Sequence, residues 1–65
     1  MPEYPTDAEV EAAARRLFAD GAFHGWFPES IPTYDALDPI GKVEFDAIVE
    51  GVLMAAAAVR AIPST

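Results

Sequence analysis

Residues 38–61 read DPIGKVEFDAIVEGVLMAAAAVRA, and they form the longest helical pattern in the chain. Asp38 is suited to cap a helix and Pro39 to occupy its first position. Since Pro63 disfavours helical angles at the residue before it, we predict a helix over residues 39–61. Most of its charges fall in one narrow arc, and nearly all of the remaining circumference is apolar or small. The arc holds Lys42, Asp46, Glu50 and Arg60, and Glu44 lies outside it.

A second helical pattern occupies residues 7–20, where the apolar side chains recur at the spacing i, i+3, i+4, i+7, i+8. Thr6 and Glu9 have the spacing of a capping box, which favours a helix start at this point. Gly21 is suited to end the helix, because glycine accepts the left-handed conformation common after a helix. These apolar residues are Val10, Ala13, Ala14, Leu17 and Phe18.

The remaining segments complete the predicted architecture, which is one all-α domain of 65 residues. Two prolines within residues 1–5 predict an extended N-terminal arm, and residues 62–65 are expected to form a C-terminal tail. Between the helices, residues 21–37 contain two glycines and two prolines, which exclude a long helix. We expect a short helical turn at 33–37.

The segment between the helices is rich in aromatic residues, which a fully solvated loop would not carry. In one interpretation these rings form a lid over the core of a helical hairpin. In the other, one or two of them are exposed anchors for a partner protein, since tryptophan and tyrosine are enriched at binding hot spots. Both interpretations hold in part if Trp26 lies inside the core and Phe27 or Tyr34 lies outside it, exposed to a partner. The candidate partner-binding residues are Trp26, Phe27, Tyr34 and Phe23.

The apolar arc of the second helix is too wide to be covered by one short neighbouring helix. Small residues at i,i+4 spacing leave a shallow groove, and we predict that a second copy packs there to give a homodimer with a four-helix arrangement. The alternative is that the groove seats the first helix or Trp26. A chain this short gains stability from self-association, because without cysteine it has no disulfide. The candidate self-association residues are Ala47, Gly51, Ala55, Ala58 and Ile62.

Charge and hydropathy exclude several partner classes. The net charge of −7, from 11 acidic and 4 basic residues, opposes direct binding of nucleic acid or of an anionic membrane. The longest uncharged run, residues 51–59, is far shorter than the roughly 20 residues of a membrane helix. The first residues lack the basic and apolar regions of a signal peptide. We therefore expect a cytoplasmic protein.

The sequence contains no pattern that is typical of catalysis or of metal binding. His24 is the only imidazole, and no spacing signals a nucleophile or an orienting carboxylate for it. Asp46 and Glu50 share a helix face but have no third ligand there. No phosphate-binding loop or nucleophile elbow is present. We predict a non-enzymatic protein with no catalytic, cofactor-binding or metal-binding residues and no cofactor.

Residues 26–56 contain a tryptophan, a short linker and an alanine-rich amphipathic helix with an aromatic residue near its start. The residues of this pattern are Trp26, Leu37-Asp38-Pro39-Ile40 with Lys42, Val43, Phe45 and Ala47, and Val52-Leu53 with Ala55-Ala56. In this pattern the segment resembles small accessory proteins of actinobacterial phages. The resemblance implies a small protein made during infection, in the cytoplasm of a bacterial host, that binds a host or phage protein, and it transfers no functional residue. With the composition, it favours a small acidic protein-interaction module. The alternatives are a structural or assembly component that self-associates, and an acidic mimic of nucleic acid.

Overall fold

The computed structural model describes residues 4–61, and within that range the chain is a hairpin of two helices without strands. Helix α1 spans Asp7–Phe23, a 3-10 turn spans Tyr34–Ala36, and helix α2 spans Pro39–Ala61. The all-α prediction is confirmed at this level. The predicted tail at 62–65 lies outside the described residues, as do the first three residues of the predicted arm.

Helix α1 begins where the sequence predicts, because its start depends on local hydrogen bonds. The Thr6 hydroxyl accepts a hydrogen bond from the Glu9 amide at 3.2 Å, and the Glu9 carboxylate accepts one from the Thr6 amide at 2.8 Å. Each bond satisfies a backbone donor near the helix start. The capping box predicted from the sequence is therefore present.

The predicted end of α1 at residue 20 is wrong, since the helix continues to Phe23. Gly21 is a buried position inside the helix rather than its stop. An added Cβ on Gly21 would lie 2.7 Å from ring atoms of both Trp26 and Phe27, so the glycine allows these rings to pack against the backbone. Gly25 takes the left-handed conformation instead, with φ of 76°.

The core is a small aromatic and aliphatic cluster between the two helices and the loop. Phe18 is 2% exposed, and its ring stacks on Phe27 with the centroids 4.1 Å apart. The edges of Tyr34 and Phe45 close the cluster around Phe18. The loop thus folds back over the helices, as the sequence predicts. The buried core residues are Val10, Ala14, Phe18, Tyr34 and Val49.

Helix α2 has the predicted bounds, and the Asp38 carboxylate accepts a hydrogen bond from the Gly41 amide at 2.6 Å. Only one side of α2 meets the rest of the hairpin, through Phe45, Val49 and Leu53. From Met54 to Ala61 every residue except Ala57 is exposed. The last two turns of α2 therefore extend beyond the region that α1 covers.

Candidate interaction surfaces

The side of α2 that faces away from α1 is an exposed apolar surface, which we call the α2 outer face. Six large apolar residues on it are between 53% and 74% exposed. Together they present on the order of 700 Å² of accessible surface, more than the roughly 300–600 Å² of the largest patch on a typical monomer. The large residues are Ile40, Val43, Ile48, Val52, Met54 and Val59, and the small residues among them are Ala47, Gly51, Ala55 and Ala58.

The candidate self-association residues within the described range are all exposed. The small-residue groove does not seat Trp26, because the Trp26 ring lies over Gly21. Helix α1 packs against the side of α2 that carries Val49, and Ala47 and Val43 lie at the edge of the α2 outer face, where they also line an open groove beside α1. An added Cβ on Gly51 would meet no atom within 4 Å. Ile62, the last candidate of this set, lies outside the described residues.

A second exposed surface lies at the end of α1 and is formed by Phe23, His24 and Trp26, which we call the aromatic end. Phe23 is 86% exposed and Trp26 is 64% exposed. The His24 ring meets Phe23 edge-on at 5.3 Å between centroids and stacks on Trp26 at 6.0 Å. The imidazole thus lies close to both aromatic rings, and the three residues form one exposed group.

The other two candidate partner-binding residues belong to the core. Phe27 is half-buried against Phe18, and Tyr34 is 6% exposed. The expected division, with Trp26 inside and Phe27 or Tyr34 outside, is therefore wrong for Trp26 and Tyr34. The reason is that Tyr34 finds a hydrogen-bond partner for its hydroxyl within the hairpin, so its burial leaves no polar group unsatisfied.

Tyr34 lies at the centre of a polar cluster that joins the loop to both helices. Its hydroxyl donates a hydrogen bond to Asp46 at 2.6 Å. The Arg15 guanidinium and the Lys42 ammonium group each lie 4.9 Å from the centroid of its ring, within range of a cation–π interaction. Burial raises the pKa of Tyr34 to about 12, and the hydrogen bond to Asp46 adds to this shift.

Arg15 connects α1 to the 3-10 turn through the same cluster. Its terminal nitrogens donate to both carboxylate oxygens of Asp35 at 3.0 and 2.9 Å, and its Nε donates to Glu11 at 3.1 Å. These hydrogen bonds from Arg15 lower the pKa of Asp35. No local sequence pattern indicates this role of Arg15, because Asp35 lies 20 residues further along the chain. Lys42 and Asp46, which belong to the charged arc of α2, are partly buried beside Tyr34.

An open groove of about 350 Å³ lies between α1 and α2. It has an apolar floor and an acidic rim, but two of its four carboxylates are already engaged, since Glu11 accepts from Arg15 and Asp46 accepts from Tyr34. Within residues 4–61 no cluster of three or more potential ligands is arranged to hold a metal ion. The groove is lined by Asp7, Val10, Glu11, Val43, Asp46, Ala47 and Glu50.

Neither helix of the described range is long and apolar enough to cross a membrane. No protein-family model matches the chain, and comparisons with curated proteins and with solved structures give no match. The resemblance to phage accessory proteins therefore stays a prediction from the sequence.

Proposed function

We propose that this chain is a small non-enzymatic protein-interaction module, and that its α2 outer face binds a second copy of the chain. The observation that carries the proposal is the exposure of six large apolar side chains on one side of a single helix. A helix that is apolar nearly all round is normally buried. The hairpin buries only the side of α2 that carries Val49, and a second copy would cover the other side.

The exposed area suits an interface of ordinary size. A stable interface buries about 800 Å² on each partner. The six large residues present on the order of 700 Å², and the exposed small residues between them add to this area. Pairing two such faces around a two-fold axis gives four helices around a shared apolar layer, the four-helix arrangement expected from the sequence.

The first experiment is sedimentation velocity on the chain at several concentrations, together with two matched substitutions. Ala55→Glu introduces a carboxylate within the α2 outer face. Ala19→Glu introduces the same group at an exposed position on α1. We expect the unmodified chain and the Ala19→Glu variant to dimerise and the Ala55→Glu variant to stay monomeric, with unchanged helix content by circular dichroism. A chain that is monomeric at several hundred micromolar would contradict the proposal.

The aromatic end supports a second candidate function, the binding of a different protein, for which a bacterial host protein in the cytoplasm is the partner that the sequence favours. Trp26 and Phe23 are both exposed and both lie next to the His24 ring, and tryptophan is among the residue types enriched at binding hot spots. In an affinity capture from actinobacterial lysate, we expect Trp26→Ala to lose a partner that the unmodified chain retains. Tyr4→Ala, which removes another exposed aromatic ring, serves as the control and should retain it.

The non-enzymatic character of the proposal is supported by what the polar residues already do. His24 is exposed, and its ring lies close to those of Phe23 and Trp26. Asp46, Asp35 and Glu11 accept hydrogen bonds that join the loop to the helices. A general base needs a positioned proton donor or nucleophile within hydrogen-bond reach. The contacts of these residues account for them as structural groups.

A further inference from the structure

We infer that the second copy binds the α2 outer face in an antiparallel orientation, with the two-fold axis passing beside Gly51. This inference rests on the proposed function, because it specifies how the two copies are arranged. Two observations on α2 carry it: an unexplained glycine and the position of one carboxylate.

The first observation is that Gly51 has no role within its own chain. Glycine in the middle of a helix costs about 1 kcal/mol relative to alanine. Gly21 compensates for this cost because two rings pack against it, whereas a Cβ on Gly51 would meet nothing within 4 Å. A glycine at an exposed helix position is suited to the close approach of another backbone, and interhelical distances near 8 Å require small residues at the crossing point.

The second observation is the position of Glu44, the exposed carboxylate that lies three residues before Ala47 and seven before Gly51. This spacing places it on the same side of the helix as both. In a parallel pair, Glu44 would lie opposite the partner's Glu44, and the two charges would repel in a partly desolvated interface. In an antiparallel pair centred on Gly51, it lies opposite the partner's Ala58, about 21 Å along the helix from the other carboxylate.

The antiparallel arrangement also covers the exposed end of α2. The segment from Met54 to Ala61 extends beyond α1 and is exposed on nearly every side. In the antiparallel pair it lies along the N-terminal half of the partner subunit's α2. That half of α2 is itself supported by its own hairpin. Each projecting end is then packed against the best-anchored part of the other copy.

Disulfide cross-linking tests the orientation directly, because the chain contains no cysteine. A disulfide requires Cα atoms about 4.4–6.8 Å apart. The antiparallel arrangement brings residue 47 opposite residue 55 of the other copy, so an equal mixture of the Ala47→Cys and Ala55→Cys variants should form the mixed disulfide on oxidation. The Ala58→Cys variant alone should not, since its two sulfur atoms would lie about 21 Å apart along the helix axis.

The outcomes of these experiments distinguish a failure of the antiparallel orientation from a failure of the proposed dimerisation. Sedimentation under reducing conditions first establishes that each variant is a dimer. A monomeric unmodified chain overturns the proposed function and this inference together. A dimer in which Ala58→Cys cross-links with itself, and the mixture forms no mixed disulfide, overturns the antiparallel orientation alone. A dimer that forms neither disulfide overturns the arrangement centred on Gly51, and the effect of Ala55→Glu on dimerisation then decides whether the α2 outer face is used.

A second variant tests the orientation without oxidation. Ala58→Lys should bind as tightly as the unmodified chain or more tightly at low salt, because the introduced ammonium group would lie opposite the partner's Glu44. Added salt should weaken this gain. A parallel pair would instead place two introduced ammonium groups opposite each other, and a tenfold or larger loss of affinity would contradict the inference.

Discussion

Replacing Tyr34 with phenylalanine removes one hydroxyl and leaves the ring packed in the core. The lost hydroxyl donates to Asp46 at 2.6 Å, and a hydrogen bond to a charged group contributes about 1.5–3 kcal/mol to stability. Because the Asp46 carboxylate is only partly buried, water can solvate it in the variant. We therefore expect Tyr34→Phe to lower the free energy of unfolding by about 1–2 kcal/mol at neutral pH.

This loss should depend on pH in a direction that follows from the raised pKa of Tyr34. At pH values below 10, the tyrosine is protonated in the folded and the unfolded chain, and its contribution to stability is complete. As the pH rises from 10 to about 12, the unfolded chain releases the proton while the folded chain retains it. Unfolding then becomes more favourable by up to about 2–3 kcal/mol in total.

The assay is urea denaturation followed by far-ultraviolet circular dichroism, with all proteins at one concentration because dimerisation adds to apparent stability. The unmodified chain should lose stability between pH 10 and pH 12, and the Tyr34→Phe variant should lose less. Tyr4→Phe, at a tyrosine that is 44% exposed, is the matched control and should behave as the unmodified chain does. Equal stability of the Tyr34→Phe variant and the unmodified chain at pH 7, or parallel losses at high pH, would refute this account of the hydroxyl.

Three further predictions concern two glycines within the helices and the residue that caps α1. Gly21→Ala should lower the free energy of unfolding by about 1–2 kcal/mol despite the better helix propensity of alanine, since its Cβ would lie 2.7 Å from ring atoms of Trp26 and Phe27. Gly51→Ala should stabilise the dilute, monomeric chain by about 0.5–1 kcal/mol. In thermal unfolding, the midpoint should therefore fall for Gly21→Ala and rise for Gly51→Ala, and changes in the same direction would contradict this reasoning. Thr6→Ala removes the hydroxyl that caps α1 and should lower the free energy of unfolding by about 1 kcal/mol. Urea denaturation measures this loss, and an unchanged midpoint would show that the cap adds nothing to stability.

The helix starts are predictable from the sequence because each depends on residues three positions apart. Thr6 with Glu9, and Asp38 with Gly41, form hydrogen bonds within a single turn. The end of α1 does not depend on contacts within one turn. The conformational preference of glycine predicts a helix end at Gly21, but its neighbours in space are rings five and six residues further along the chain. Only the folded loop shows that it is a packing position.

Of the candidate surfaces, one is predictable from the sequence and the other is not. The breadth of apolar sequence in α2 predicts an uncovered face, since one short helix can shield only part of it, and Val52 and Ile48 are indeed exposed. The sequence does not predict that Tyr34 is buried in the core while Trp26 is exposed. It depends on Asp46 lying within reach of the phenol, a contact between residues 12 positions apart across the turn.

The exposure of Trp26 has a practical consequence for anyone who handles this protein. It is the only tryptophan, and with 64% of its surface exposed its indole is largely in contact with water even in the folded state. Its fluorescence emission should therefore shift little when the chain denatures, and an unfolding curve read from that signal would understate the transition. The same indole is well placed as a built-in optical reporter for a partner that covers the aromatic end.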